Sequence, residues 1–173
     1  GLPAEMDVLN FNPFEENLSA ADQAIALEAE KVALKVYTTV STIQASAKSA
    51  GLDLAKSFET AIEAVAEVVQ TKSAAGATAD LADSTIIAEV VTATSTKLET
   101  KLTEAGFDAA TVTAKVNANT AVLETAKAQI QTINEAAEAI TSFDAAELGA
   151  IAKLAVKSGE EAAAAVTAEK HGY

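Results

Sequence analysis

At 173 residues the chain is the size of one domain; half of it is apolar, while only 4% is aromatic. Its 12 basic residues are all lysine and stand against 25 carboxylates, a net charge of −13 that leaves no cationic surface for nucleic acid. With no cysteine and a single histidine, His171, it excludes disulfides, thiol catalysis, thiolate-held metals and His-rich metal sites, and no apolar run nears the ~18 residues of a transmembrane helix.

Residues 1–18 hold both prolines, Pro3 and Pro13, and read as an extended arm with a turn at Asn12-Pro13. Phe11, Phe14 and Leu18 of this arm can pack across one end of the domain. The arm has neither the basic start nor the apolar middle of a cleavable secretory signal. Residues 19–173 contain no proline, are about one quarter alanine, and form a single helical domain.

The first helix is predicted from Ser19 to about Ala50. Ser19 and Asp22 form a variant capping box, the inward stripe is Ile25, Ala29, Val32, Val36, Val40 and Ile43, and Gly51 is the left-handed stop. Asp53 caps a second helix that runs to about Ala74, with Phe58, Ile62, Val65 and Val69 inward. Residues 73–80 read as a loop. A third helix covers about Leu81 to Ala105, with Leu81, Ala88, Val91, Leu98 and Leu102 inward. Asp108 caps the fourth, and Phe107 with Val112 makes a hydrophobic staple. This helix carries a 4-3 seam of Val112, Val116, Asn119, Leu123, Ala126, Ile130, Ile133, Ala137 and Ile140. Phe143-Asp144 repeats the staple, with Leu148 as its inner partner. The fifth helix is predicted from about Ala145 to Lys157, broken at Gly159 before a last Ala-rich turn. Helices of this length joined by short loops fold as an all-α, elongated up-and-down bundle of four to five antiparallel helices.

The polar residues give no catalytic pattern, so no catalytic, cofactor-binding or metal residue is assigned and no cofactor is expected. Glu59, Glu63 and Glu67 share a helical face and read as a solvated surface opposite the Phe58 stripe. Asp80 and Asp83 flank a helix start; their expected task is capping, and they could hold at most one weak surface calcium ion. Asn119 on the fourth seam reads as a buried register-setting amide. Thr92, Thr96, Thr100 and Thr103 line one side of the third helix without the sustained 11-residue register of helical ice-binding peptides, and His171 reads as a tail residue.

Leu2-Pro3, Val8-Leu9, Phe11-Asn12-Pro13 and the Ala-rich helix through Ala29, Val32 and Val36 resemble a helical module of very large bacterial surface and secreted proteins. Those adhesin-like chains also carry RTX or cadherin-like repeats. The resemblance covers residues 1–69, with Asn12 where the pattern has Asp. It implies a non-enzymatic structural, spacer or adhesion module, extracellular or on the bacterial cell surface, and one module of a longer chain. Its partners would be neighbouring domains or copies of itself. Two alternatives stand beside it: an assembly subunit that exchanges its N-terminal arm to build a filament, and a bundle whose small core residues Ala29, Ala88, Ala126 and Ala137 leave room for an apolar ligand.

Overall fold

A computed structural model describes residues 18–142 and 145–171. It holds five helices: α1 (Ala20–Ala50), α2 (Leu54–Ala74), α3 (Ser84–Glu104), α4 (Ala109–Glu138) and α5 (Ala145–His171). Among the described residues there is no strand. The arm (residues 1–17), the second staple (Phe143 and Asp144) and the side chain of His171 lie outside the described residues.

The helix starts follow local capping chemistry. Ser19 Oγ accepts from the backbone N–H of Asp22 at 3.1 Å and donates to Asp22 Oδ2 at 2.6 Å. Asp53 accepts from Lys56 N–H at 2.8 Å and Asp108 from Thr111 N–H at 2.9 Å. Each satisfies a donor that the first helical turn leaves without an internal partner. Gly51 ends α1 at φ 118°, where a β-carbon would also meet Lys115 Nζ at 2.9 Å. Phe107 and Val112 pack in one core cluster, as a staple requires.

α1 is the central helix. It packs on α2, α4 and α5 and only marginally on α3, while α2 touches α1 and α3, and α4 touches α3 and α5. The arrangement is two layers, α5–α1–α2 over α4–α3. Sequential neighbours run antiparallel, so α5 runs parallel to α1, with Ile151 near Leu34 and Ala162 near Ala47. The core divides along the axis into clusters centred on Leu34 and Ile140, on Ile43 and Val90, and on Leu98 and Leu102. The α4 seam is buried as its repeat predicts, except that Val116 is only half-buried; Val122 and Asn134 join it.

Three expectations are corrected and one, the second below, is refined. First, α2 is turned about its axis: Phe58, Ile62 and Val69 are exposed (50%, 40% and 42%), and the face against α1 and α3 is Ser57, Thr60, Ala61, Ala64, Val65 and Val68. Small residues there let the helix axes approach, and Phe58 would hold them apart. Second, Glu59, Glu63 and Glu67 are solvated as expected, their side chains 39–52% exposed, and in addition pair with Lys97 and Lys101 of α3. Third, α5 runs unbroken through Gly159 because that glycine is a packing position: a β-carbon there would stand 3.3 Å from Ser41 C=O and 3.5 Å from Ala45 Cβ. Fourth, α3 starts at Ser84, not Leu81; Asp83 is its cap and Leu81 is a buried anchor in the preceding connection. Ala88, predicted inward, is half-buried, and Ile86, Ile87 and Val90 take the core positions of the first turns.

Candidate interaction face

The inner polar residues form contacts that fix register. Thr38, Thr39, Thr42 and Ser46 of α1 are fully buried, as are Asn119 and Asn134 of α4 and Ser158 of α5. Thr38, Thr39 and Thr42 donate to the carbonyls of Leu34, Lys35 and Thr38, so their hydroxyls enter the core without an orphan donor. Thr42 also meets Ser158 Oγ at 3.2 Å, and Ser95 meets Thr120 at 2.7 Å. Asn119 Nδ2 donates to Ser46 Oγ. Asn134 Nδ2 donates to Leu81 C=O at 2.7 Å and to Thr39 Oγ1 at 3.2 Å, tying α4 to α1 and to the α2–α3 connection. The Oδ1 atoms of Asn119 and Asn134 are buried without a hydrogen-bond partner among the described residues. Asn119 thus occupies the buried register position that its place on the seam predicts.

The charged residues act between elements. Lys35, its side chain 11% exposed, meets Asp80 at 3.0 Å and Glu138 at 2.7 Å. Burial on its own would lower the Lys35 pKa; the hydrogen bonds and charges of Glu138 and Asp80 outweigh it and hold the ammonium above its ordinary value. The backbone N–H of Ala82, helped by Lys35, holds the Asp80 carboxyl below the usual carboxylate range. Lys101 bridges Glu59 at 3.1 Å and Glu63 at 3.4 Å, Lys97 meets Glu67 at 2.7 Å, and Lys72 meets Glu89 at 2.6 Å, so the carboxylate row of α2 is stitched to α3. The carboxylates of Asp80 and Asp83 are engaged separately, Asp80 by Lys35 and Ala82 and Asp83 by Thr85 N–H at 2.7 Å. Among the described residues no group of three His, Cys, Asp or Glu stands close enough to hold a metal ion. Thr92, Thr96, Thr100 and Thr103 are exposed.

The α2 rotation puts three large apolar side chains outside. The glutamates pair with α3, so the exposed Phe58, Ile62 and Val69 lie on the opposite edge of the buried arc, beside α1. Tyr37 of α1 (46% exposed) and Val156 of α5 (45%) line a shallow cleft of about 440 Å³ between α1 and α5. Each helix of the α5–α1–α2 layer thus carries exposed apolar side chains, Val156 on α5, Tyr37 on α1, and Phe58, Ile62 and Val69 on α2. A second cleft of about 420 Å³ on α2–α3 is lined by Glu67, Thr71, Glu89 and Thr92 and is the more polar in character. Phe58, Ile62 and Val69 at helical spacing predict a core stripe; the contrary signal in the sequence is the companion run of Ala61, Ala64 and Val68, an equally periodic face of smaller residues. No helix of the described residues is long and apolar enough to cross a membrane. Comparison of the chain with family models, with curated proteins and with solved structures finds no match.

Proposed function

We propose that the chain is a non-enzymatic structural and adhesion module of an exported bacterial surface protein, a bundle that holds its shape and offers one outer face to a neighbour. The observation that carries this reading is the division of labour among side chains. Buried threonine, serine and asparagine lock the register of α1, α4 and α5, while Tyr37, Phe58, Ile62, Val69 and Val156 are left exposed on the three helices α1, α2 and α5. Exposed apolar groups gathered on one side mark an interaction surface more often than scattered ones do. The excess of 13 negative charges keeps bundles apart in general and leaves contact to this face. The resemblance of residues 1–69 to the helical modules of giant surface proteins supports the same reading.

The test is attachment. Anchored on the outside of a bacterial cell, the chain should raise binding of those cells to an apolar surface. The pair Phe58→Asp and Ile62→Asp should abolish the gain while leaving helicity unchanged. Unchanged attachment would reject the adhesive role and leave the spacer role alone. Substrate turnover that disappears on changing one buried polar residue, such as Asn119, would overturn both.

A further inference from the structure

The large apolar side chains that α2 leaves outside fall on one line. Leu54, Phe58, Ile62 and Val69 are 61%, 50%, 40% and 42% exposed, and Val65, buried at 7%, belongs to the same row. At 3.6 residues per turn these five positions span only about 80° of the helix surface, over a length of about 22 Å. Their spacing, 4-4-3-4, is that of a helix–helix seam. On α4 such a seam is covered by the bundle; on α2 it faces outward. The row carries no charge. Glu59, Glu63 and Glu67, on the neighbouring side of α2, are engaged by Lys101 and Lys97 of α3, and Lys72, beyond Val69, is engaged by Glu89. In a chain with a net charge of −13, this is a strip on which two copies meet without bringing carboxylates together.

We propose that the row is the contact between two copies of this chain, paired through α2 in antiparallel fashion about a two-fold axis. The spacing carries the choice of partner. Phe58, Ile62, Val65 and Val69 are separated by 4, 3 and 4 positions, the same in either direction. An antiparallel partner in register therefore sets Phe58 against the second copy's Val69, a large side chain against a smaller one, and brings the two copies of Ile62 together near the axis. A two-fold pair uses the same patch on both sides, which is what a palindromic row supplies. Parallel pairing would set Phe58 on Phe58 and align the two helix dipoles. In the antiparallel register the two copies of Glu59 stand nine residues apart along the axis, about 13 Å, which exceeds a Debye length of about 10 Å at 0.1 M salt. The open part of the row amounts to about two side chains, roughly 300–400 Å² per copy at about 150–200 Å² for each large side chain. Doubled, this stays below the roughly 1,200 Å² of a permanent complex, so a reversible dimer with a Kd on the order of 10–100 μM is expected. The inference rests on the reading of these residues as an interaction face and names the partner.

Sedimentation of the full chain from about 1 μM to about 1 mM, in about 0.5 M sodium chloride to screen the surplus charge, should show a monomer passing to a dimer. Phe58→Asp with Ile62→Asp should raise the Kd at least about tenfold, whereas Thr96→Asp on exposed α3 should leave it unchanged. Because the chain has no cysteine, the register can be read with introduced ones, and single substitutions at exposed positions keep the test decisive even if the double variant does not fold. A mixture of the Phe58→Cys and Val69→Cys chains should form the mixed disulfide at least about tenfold faster than either forms its own. A chain monomeric throughout, a dimer indifferent to Phe58→Asp with Ile62→Asp, or disulfides that favour Phe58→Cys with itself would each overturn the proposal. Cells that attach to an apolar surface through a chain that stays monomeric would overturn it alone and leave the adhesive reading in place.

Discussion

At the scale of single residues, volume decides which side chains of α2 go inside. Ala61 and Ala64 are fully buried and Val68 nearly so, whereas the larger Phe58 and Ile62 are left in water. Phe58→Ala should therefore cost less than truncation of a fully buried phenylalanine, since half of its surface already stands in water, and less than Ala64→Leu, which should cost about 1–3 kcal/mol by forcing α2 off its neighbours. Urea midpoints of the two variants would rank them, and the reverse order would mean that Phe58 is a core residue after all. The buried asparagines differ in what they hold. Asn119 serves one hydroxyl, whereas Asn134 serves Thr39 and the Leu81 carbonyl. Asn134→Ala orphans a buried backbone acceptor, so a loss of about 1–3 kcal/mol is expected, larger than for Asn119→Ala. Hydrogen exchange should also speed up around residues 79–83 in the Asn134 variant alone.

At the scale of elements, what was legible in the sequence was local. Ser19, Asp53, Asp108 and Gly51 do at the helix ends what their chemistry predicts, because a cap needs only the next few residues. The α4 seam was legible because a 4-3 repeat over thirty residues has one solution. The faces of α1 and α2 were not. α1 is enclosed on three sides, so its buried threonines, each bonded to its own helix, carry no mark of burial in their identity. The outer apolar face was hidden for the same reason: its orientation is set by α1 and α3, not by α2 itself. Glycine shows the limit most directly. Gly149 and Gly159 look alike in the sequence, yet a β-carbon at Gly149 meets nothing within 4 Å and one at Gly159 meets the α1 backbone. Gly149→Ala should thus stabilise the protein by about 0.5–1 kcal/mol through helix propensity. Gly159→Val should lower the melting temperature by prising α5 from α1. Equal effects at the two positions would contradict the close α1–α5 contact.

At the scale of the whole molecule, electrostatics works in two opposed ways, and their balance can be predicted. Four lysines, Lys35, Lys72, Lys97 and Lys101, join helices or connections through half-exposed carboxylates. The Lys35 pKa is raised, so its contribution is complete below the ordinary value of 10.5 and lost only as pH climbs through the higher folded value. The Asp80 pKa is lowered, so its contribution is complete above the ordinary value of 3.8 and lost as pH falls through the lower folded value. The destabilisation caused by Lys35→Met, about 1–2 kcal/mol, should accordingly stay flat from about pH 5 to 9 and shrink below about pH 4. Against these attractions stands an excess of 13 carboxylates over lysines, spread on a slender bundle. Exposed ion pairs are worth about 0–1 kcal/mol each and are screened by salt, but so is the repulsion among many like charges within a Debye length of about 10 Å. With so few pairs and so large an excess, repulsion is the greater term. Raising sodium chloride from about 0.02 M to about 0.5 M should therefore increase the melting temperature of the wild-type chain, although every salt bridge weakens. The deficit of Lys35→Met should narrow over the same range, since the lost ammonium is what salt replaces. A melting temperature that falls with salt would show that the interhelical pairs, not the surplus charge, govern the stability of this fold.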